Sequence, residues 1–274
     1  MADQLSLTIL GCGSSGGVPR VGGRDGAGYW GACDPDNPKN RRRRCSALVR
    51  RTGAAGTTAV LIDTAPDMRE KLIAARAATL GGVLITHDHA DQLHGLGDLR
   101  MVAINMRRRG GGFATANSFE GILSRFSYCF VQPPGSDYPP ILHAHTIKTP
   151  FTPFTISGAG GDVPVETFWQ THGQILSAGF RFGPFAYSSD VNDLDEAAFA
   201  ALNGVECWVV DALRYTQHPS HAHVGKALEW IARVKPKRAV LTNLHVDLDY
   251  ETLKRELPDG VEPAYDGMVI TAAI

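Results

Sequence analysis

The chain has 274 residues, 43% hydrophobic and 20% charged, which is enough to bury a large core and excludes a disordered chain. A formal net charge of −1 excludes the global basic field of a nucleic-acid-binding domain, so any phosphate recognition has to be local. The five cysteines, Cys12, Cys33, Cys45, Cys129 and Cys207, form no C-x-x-C pair and read as reduced, mostly buried thiols.

The first residues carry neither a basic region nor a long apolar stretch, and no apolar run reaches the length of a membrane span. A cytoplasmic location with no membrane partner is expected. Residues 5–10 read as a strand running into the turn GCGSSGGVP at 11–19. That turn is either a tight bend needing positive φ or a backbone cradle for phosphate. It lacks the lysine and spacing of a P-loop. Residues 21–40 read as a long loop ending in the basic run 39–44, where Arg41 to Arg44 form either a solvated face or a phosphate fork. Residues 45–50 and 58–62 read as paired strands, and 68–77 as a helix capped by Asp67.

Residues 83–95, VLITHDHADQLHG, are the centre of the chain. A short apolar run feeds three histidines and two carboxylates within eight positions, a density that a packed core has no use for. His87 and His89, two apart beyond a strand, can converge on one cation, while Asp91 and Gln92 fall where a helix begins and can face a second. Imidazole with carboxylate suits zinc, iron or manganese. The run resembles H-x-H-x-D-H, the signature of the metallo-β-lactamase-fold hydrolases. His87, His89 and Asp91 match it, and Gln92 stands where the signature has its last histidine.

The 11–19 turn and the block from Trp30-Gly31-Ala32-Cys33 to Arg44 resemble one branch of that superfamily, the phosphodiesterases related to the accessory enzyme of the carbon–phosphorus lyase pathway. In that branch the turn lies beside the metals, and a cysteine cluster in this region holds a structural zinc. Only Cys33 is present here, so no structural zinc is expected. The resemblance also makes Asp63 the acid that supports the metal loop by hydrogen bonds.

Further on, 96–109 reads as a helix stopped by Gly110-Gly111-Gly112, 113–116 as a strand, 119–130 as a helix and 128–141 as an irregular insert. His143 and His145 read as ordinary strand histidines. Strands follow at 163–169, 175–182, 184–189, 206–211, 238–242 and 268–274, with helices at 194–202, 224–234 and 250–256. No linker is visible, and the pattern suits a single domain over 1–274, an α/β four-layer αββα sandwich.

The resemblance implies the remaining roles. His172 in QTHG completes a three-histidine site with His87 and His89, Asp190 in YSSD bridges two metals, and His245 in LTNLH joins Asp91 at the second. Two divalent ions, zinc or manganese, are therefore the expected cofactors, with Asp91 among the catalytic groups and a bridging hydroxide as nucleophile. Gln92, a neutral and weaker ligand than imidazole, weakens the second site, favours a harder ion or leaves room for His94. His221 resembles the general acid, with His223 and His218 behind it and Asp211 orienting it. The structural alternative is that Ser220 or His221 caps the helix at 224. Ser14, Ser15, Arg41 and His223 are expected to contact substrate.

The expected activity is hydrolysis of a small, cyclic or open, sugar or nucleotide phosphodiester. The expected partner is that phosphorylated substrate and no nucleic-acid polymer, and a homodimer stays open. Lactone or ester hydrolysis on the same fold, and a non-catalytic phosphate- or nucleotide-binding relative with a weakened second metal, are the alternatives.

Overall fold

Strands buried on both faces need unbroken apolar runs, and the stretches 47–49, 59–62 and 207–210 are such runs, all buried. The computed structural model describes residues 3–274, in two compact units. The first takes in residues 3–10, 46–164 and 269–274, and the second residues 11–45 and 165–268.

In the first unit β1 (Gln4–Gly11) precedes a hairpin of β2 (Ser46–Gly53) and β3 (Gly56–Ile62). There follow α1 (Met68–Ala74), β4 (Gly82–Leu84), α2 (Ala90–Leu93), α3 (Leu99–Met106), β5 (Gly110–Thr115), α4 (Ala116–Phe126), β6 (Leu142–Ile147) and β7 (Phe154–Ile156). The last strand of the chain, Val269–Ala273, returns to pair antiparallel with β1. It opens the sheet order continued by β1-β2-β3-β4-β5-β6. Strands β3 to β6 run parallel because helical crossovers join them. Those helices bury Leu72, Leu93, Val102 and Ile122 in one core with Leu61, Val83 and Ile85. Each such side chain contributes about 1.5–3 kcal/mol.

Two local expectations are corrected here. Asp67 occupies the N-cap position of α1 without a capping hydrogen bond, and its carboxylate instead meets Lys71 Nζ at 2.9 Å, a lysine with no exposure. A buried ammonium demands an anion more strongly than a backbone N–H demands a cap. The stop of α3 is Arg107, in left-handed conformation (φ 52°), rather than the glycine triplet. Those glycines open β5, where a Cβ at Gly111 would lie 2.8 Å from the Phe113 ring. His143 and His145 do sit on a strand, His145 stacked on Phe113 with ring centroids 4.6 Å apart.

The second unit contains β8 (Val163–His172), β9 (Ile175–Phe182), β10 (Phe185–Ser188), α5 (Glu196–Leu202), β11 (Cys207–Asp211), α6 (Val224–Val234), β12 (Arg238–Thr242), α7 (Tyr250–Glu256) and β13 (Val261–Pro263). The strand order is β13-β12-β11-β10-β9-β8, antiparallel from β8 to β10 and parallel from β10 to β13. Val224, Ala227, Trp230 and Ile231 fall on one face of α6 and pack with Trp208, Val210 and Leu241. The short strands β7 and β13 escape the sequence reading because three residues are too few to show a period.

Residues 11–45 are tied into the second unit backbone to backbone. Gly13 bridges both Arg44 and Leu244, and a Cβ at Gly11 would lie 2.0 Å from the Arg44 carbonyl oxygen. Close approach therefore accounts for glycine there. The arginine run is not a single solvated face. Arg42 is 2% exposed and donates to the Leu248 carbonyl (2.7 Å) and Asn40 Oδ1 (3.1 Å). Arg43 donates through its backbone and Nε to Asp266. All five cysteines are free and buried, as expected. Among the described residues no helix is long and apolar enough to cross a membrane.

Asp249, at the N-cap of α7, accepts the N–H groups of Thr252 (3.0 Å) and Asp34 (3.2 Å) and the Asn40 amide (2.7 Å). Burial pushes its carboxyl up, but these donors outweigh burial and hold it at about 2. The folded value lies below the unfolded one of about 3.9, so the stabilisation is complete above pH ~4 and lost as pH falls through about 2. Asp249→Ala is expected to cost about 0.5–2 kcal/mol in urea unfolding at pH 7. The difference from the parent should close as titrations are repeated towards pH 2.

Candidate functional site

In the first unit the site begins where β3 and β4 end. Asp63, fully buried and left-handed (φ 60°), accepts the backbone N–H of Thr86 at 2.8 Å, and its two oxygens lie 3.0 and 2.9 Å from the Thr86 hydroxyl. That hydroxyl has one proton, which an ionised carboxylate takes, so its oxygen must accept from His87 Nδ1, 3.0 Å away. The relay fixes His87 as the Nδ1–H tautomer with its lone pair on Nε2, the form a metal ligand needs. His89 follows at the N-cap of α2, its ring 4.5 Å from that of His87 in a T-shaped arrangement.

The loop is sewn down by Thr64, whose N–H donates to the Gln92 carbonyl (2.7 Å) and whose hydroxyl donates to that of Leu93 (3.0 Å). Gly95 closes against the same segment, where a Cβ would lie 2.1 Å from the Ala65 carbonyl oxygen. Asp91 lies in the first turn of α2 and Gln92 beside it is buried, its amide 3.5 Å from the Asp91 carboxylate. His94 points elsewhere, exposed against the Phe126 ring.

In the second unit three adjacent parallel strands end nearly in register, Asp211 opposite Thr242 and Ser188 opposite Val210. Asp190, Asp211 and Asn243 therefore emerge together at carboxyl ends of strands, where open α/β sheets bind ligands. Asp190 (φ 52°) accepts from the Asn243 amide at 2.6 Å, and Asn243 is itself left-handed (φ 63°). Asp211 has no exposure and accepts from the Val191 N–H (3.0 Å) and from His221 Nδ1 (2.8 Å). Burial pushes the Asp211 carboxyl up, opposed by the neighbouring His221 charge and by its hydrogen bonds.

His172, at the end of β8, holds its Nδ1–H on the Ser220 carbonyl at 2.6 Å, leaving the Nε2 lone pair. Its ring lies 4.7 Å from that of His221. Asp190, Asp211 and His221 bring ligand atoms within 4.8 Å of one another. The Asp211 and His221 members of that cluster are engaged with each other, whereas Asp190 and the histidines left with Nε2 lone pairs are donors of the type that fits a divalent transition metal.

His245 pairs through Nδ1 with Asp247 at 2.9 Å, and burial together with the positive charge of Arg20 lowers its pKa. His218 is likewise lowered by burial and by His221. His223, not Ser220 or His221, caps α6, its Nδ1 accepting from the Lys226 N–H at 3.2 Å. The extended backbone of His223 aims its ring back at the helix end, a choice residue type alone does not reveal. Ser14 is buried and Ser15 exposed in a turn closed by Gly17, whose φ of 66° suits glycine. Arg41 is exposed, its guanidinium 5.1 Å from the Trp30 ring. Sequence reasoning missed Thr86 and Asn243. Both stand at strand ends, the same signal that singles out Asp190 and Asp211.

Residues 58–243 match the family model of the beta-lactamase superfamily domain. The chain belongs to this superfamily. An octanoyltransferase of Porphyromonas gingivalis (strain ATCC BAA-308 / W83) is 31% identical over 269 residues, 96% of this chain and 51% of that protein. The chain thus spans about half the length of this curated relative. Among solved structures, a diphosphatase from the PhnP family aligns with a TM-score of 0.84 and 27% identity, over 99% of this chain and 98% of that one. The metallo-β-lactamase-fold protein YhfI from Bacillus subtilis aligns at TM-score 0.70 and 15% identity, over 98% and 100% of the two chains, a likeness in fold. The metallo-β-lactamase-fold branch and the α/β class expected from the sequence are those of these neighbours.

For this superfamily member the Asp63–Thr86–His87 relay predicts a measurable link between a residue that touches no metal and metal affinity. Thr86→Val keeps the shape but cannot accept from His87. Its divalent-metal affinity, read by chelator competition, should fall about 10- to 100-fold with the thermal unfolding transition retained.

Proposed function

We propose that the chain is a metal-dependent phosphodiesterase acting on a small sugar or nucleotide phosphodiester, cyclic ones included. The observation that carries the reading is the Asp211–His221 pair. A carboxylate with no exposure engages Nδ1 at 2.8 Å, while the imidazole side chain keeps 17% of its surface in solvent. That leaves Nε2 as the nitrogen that exchanges a proton with a reactant, the arrangement a leaving alkoxide needs. The likeness to a PhnP-family diphosphatase over nearly the whole chain supports phosphoryl chemistry.

In this reading the metal ligands are His87, His89, His172, Asp190, Asp91 and His245, with Gln92 beside them. When bound, two divalent ions, zinc or manganese, lower the pKa of water and neutralise charge on the phosphate. The protein's own part is to hold His87 and His172 as Nε2 ligands, to keep Asp190 in place through Asn243, and to deliver a proton from His221. Arg41, whose contact is the face of Trp30, is free to fork onto a substrate phosphate. The formal charge of −1 favours a small phosphorylated substrate over a nucleic-acid polymer.

His221→Ala is expected to lower kcat for diesters with poor leaving groups by about 10²- to 10⁴-fold and to leave metal content unchanged. With activated nitrophenyl diesters, which leave without a proton, the loss should be small. An equal loss on both would remove the acid role. Gln92→His should tighten the weaker metal in a chelator titration, since imidazole replaces an amide.

The likeness to an octanoyltransferase favours a second reading, carboxylic-ester chemistry on the same scaffold. That reading predicts turnover of acyl esters or lactones insensitive to Arg41→Ala. The phosphodiesterase reading predicts competitive inhibition by inorganic phosphate and a raised KM in that variant.

A further inference from the structure

Away from the metal-binding loops, α1 and α3 enclose a groove of about 570 Å³ within the first unit. Its floor is made by buried Leu72, Ala77 and Val102. Its walls are Ile73 and Met101, each left 58% exposed, so two large apolar side chains that a ligand could cover stand in water. Arg69, Arg76 and Arg100 line the same groove. Arg69 is occupied by the adjacent Glu70, and Asp98 by the Arg69 backbone N–H. The Arg76 and Arg100 guanidiniums make no ion pair among the described residues; Arg100 lies 5.3 Å from the Tyr138 ring, and its charge also acts on Tyr128 and Cys129. An apolar cleft of this size with cations along its lining is the form of a small-molecule site. The cations specify the sign of the ligand, and guanidinium matches a carboxylate in a bidentate fork.

A second copy of the chain fits less well, because a two-fold contact would set these arginines against themselves.

We propose that the α1–α3 groove binds an aliphatic carboxylate, a fatty-acid-like anion whose tail lies on Leu72, Ile73, Met101 and Val102 and whose head pairs with Arg76 and Arg100. The site is separate from the proposed hydrolytic chemistry and stands whether or not that reading holds. Calorimetric titration of the full chain with sodium hexanoate, octanoate and decanoate, below micelle-forming concentrations, tests it. Saturable one-site binding is expected, tightening about fourfold per added methylene. Arg76→Glu should weaken decanoate at least tenfold and leave 1-octanol binding unchanged, and Met101→Asp should weaken both. Both positions are exposed, and an unchanged thermal midpoint confirms that each variant is folded.

Absence of saturable decanoate binding, or equal affinity in the parent and both variants, would overturn the proposal. So would binding to phosphatidylglycerol vesicles without binding of monomeric decanoate, which would make the face a membrane contact. A dimer in sedimentation that Met101→Asp dissociates would make it a self-association surface and equally end the proposal.

Discussion

Three carboxylates withdrawn from water at strand ends, Asp63, Asp190 and Asp211, impose the constraint that shapes the working part of this molecule. An unpartnered buried carboxylate costs several kcal/mol, so each needs donors built around it. Asp63 takes both the backbone and the hydroxyl of Thr86, Asp190 takes the Asn243 amide, and Asp211 takes the Val191 N–H and the His221 ring. Three residues of these networks, Asp63, Asp190 and Asn243, are held in left-handed backbone that costs on the order of 1–3 kcal/mol each. Strain of that size persists only where the surrounding structure over-determines it, and here it falls at strand ends whose side chains hydrogen-bond the site's own groups.

The same device appears twice with different outcomes. Asp63 acts on His87 through a hydroxyl, while Asp211 acts on His221 directly. In both cases Nδ1 is committed and Nε2 is left, which under the proposed function serves as a lone pair for a cation in one ring and a proton site in the other. His172 reaches the same state by a backbone carbonyl. Which bond is cut depends on what these groups face, and the scaffold alone does not decide it.

Arginine serves at least three purposes in this chain. Arg42 and Arg43 are struts that satisfy carbonyls and Asp266 inside the second unit, Arg41 stands over Trp30 in solvent, and Arg76 and Arg100 line an apolar groove in the first unit. A run of like charges in a sequence therefore says little about anion binding until burial is known. The net charge near zero conceals this division because struts and free cations count alike.

The sequence by itself determined the family, the metal loop and most strands and helices, down to the limits of α6, β12 and α7. Those features are written in local periodicity and in residue types packed close together, such as the 83–95 run. It also singled out Asp63, Asp190, Asp211 and His221 as strand-end or pre-helix polar residues. Only the tertiary structure decided which partner each of them has. That Asn243 donates to Asp190, that His223 and not His221 caps α6, and that Lys71 takes Asp67 from its capping role all depend on side-chain direction and burial. A hydrogen bond between residues 53 or 10 positions apart leaves no period in the chain. Such pairings are chosen by the cost of leaving a buried charge unmet, which exists only once the strands have come together.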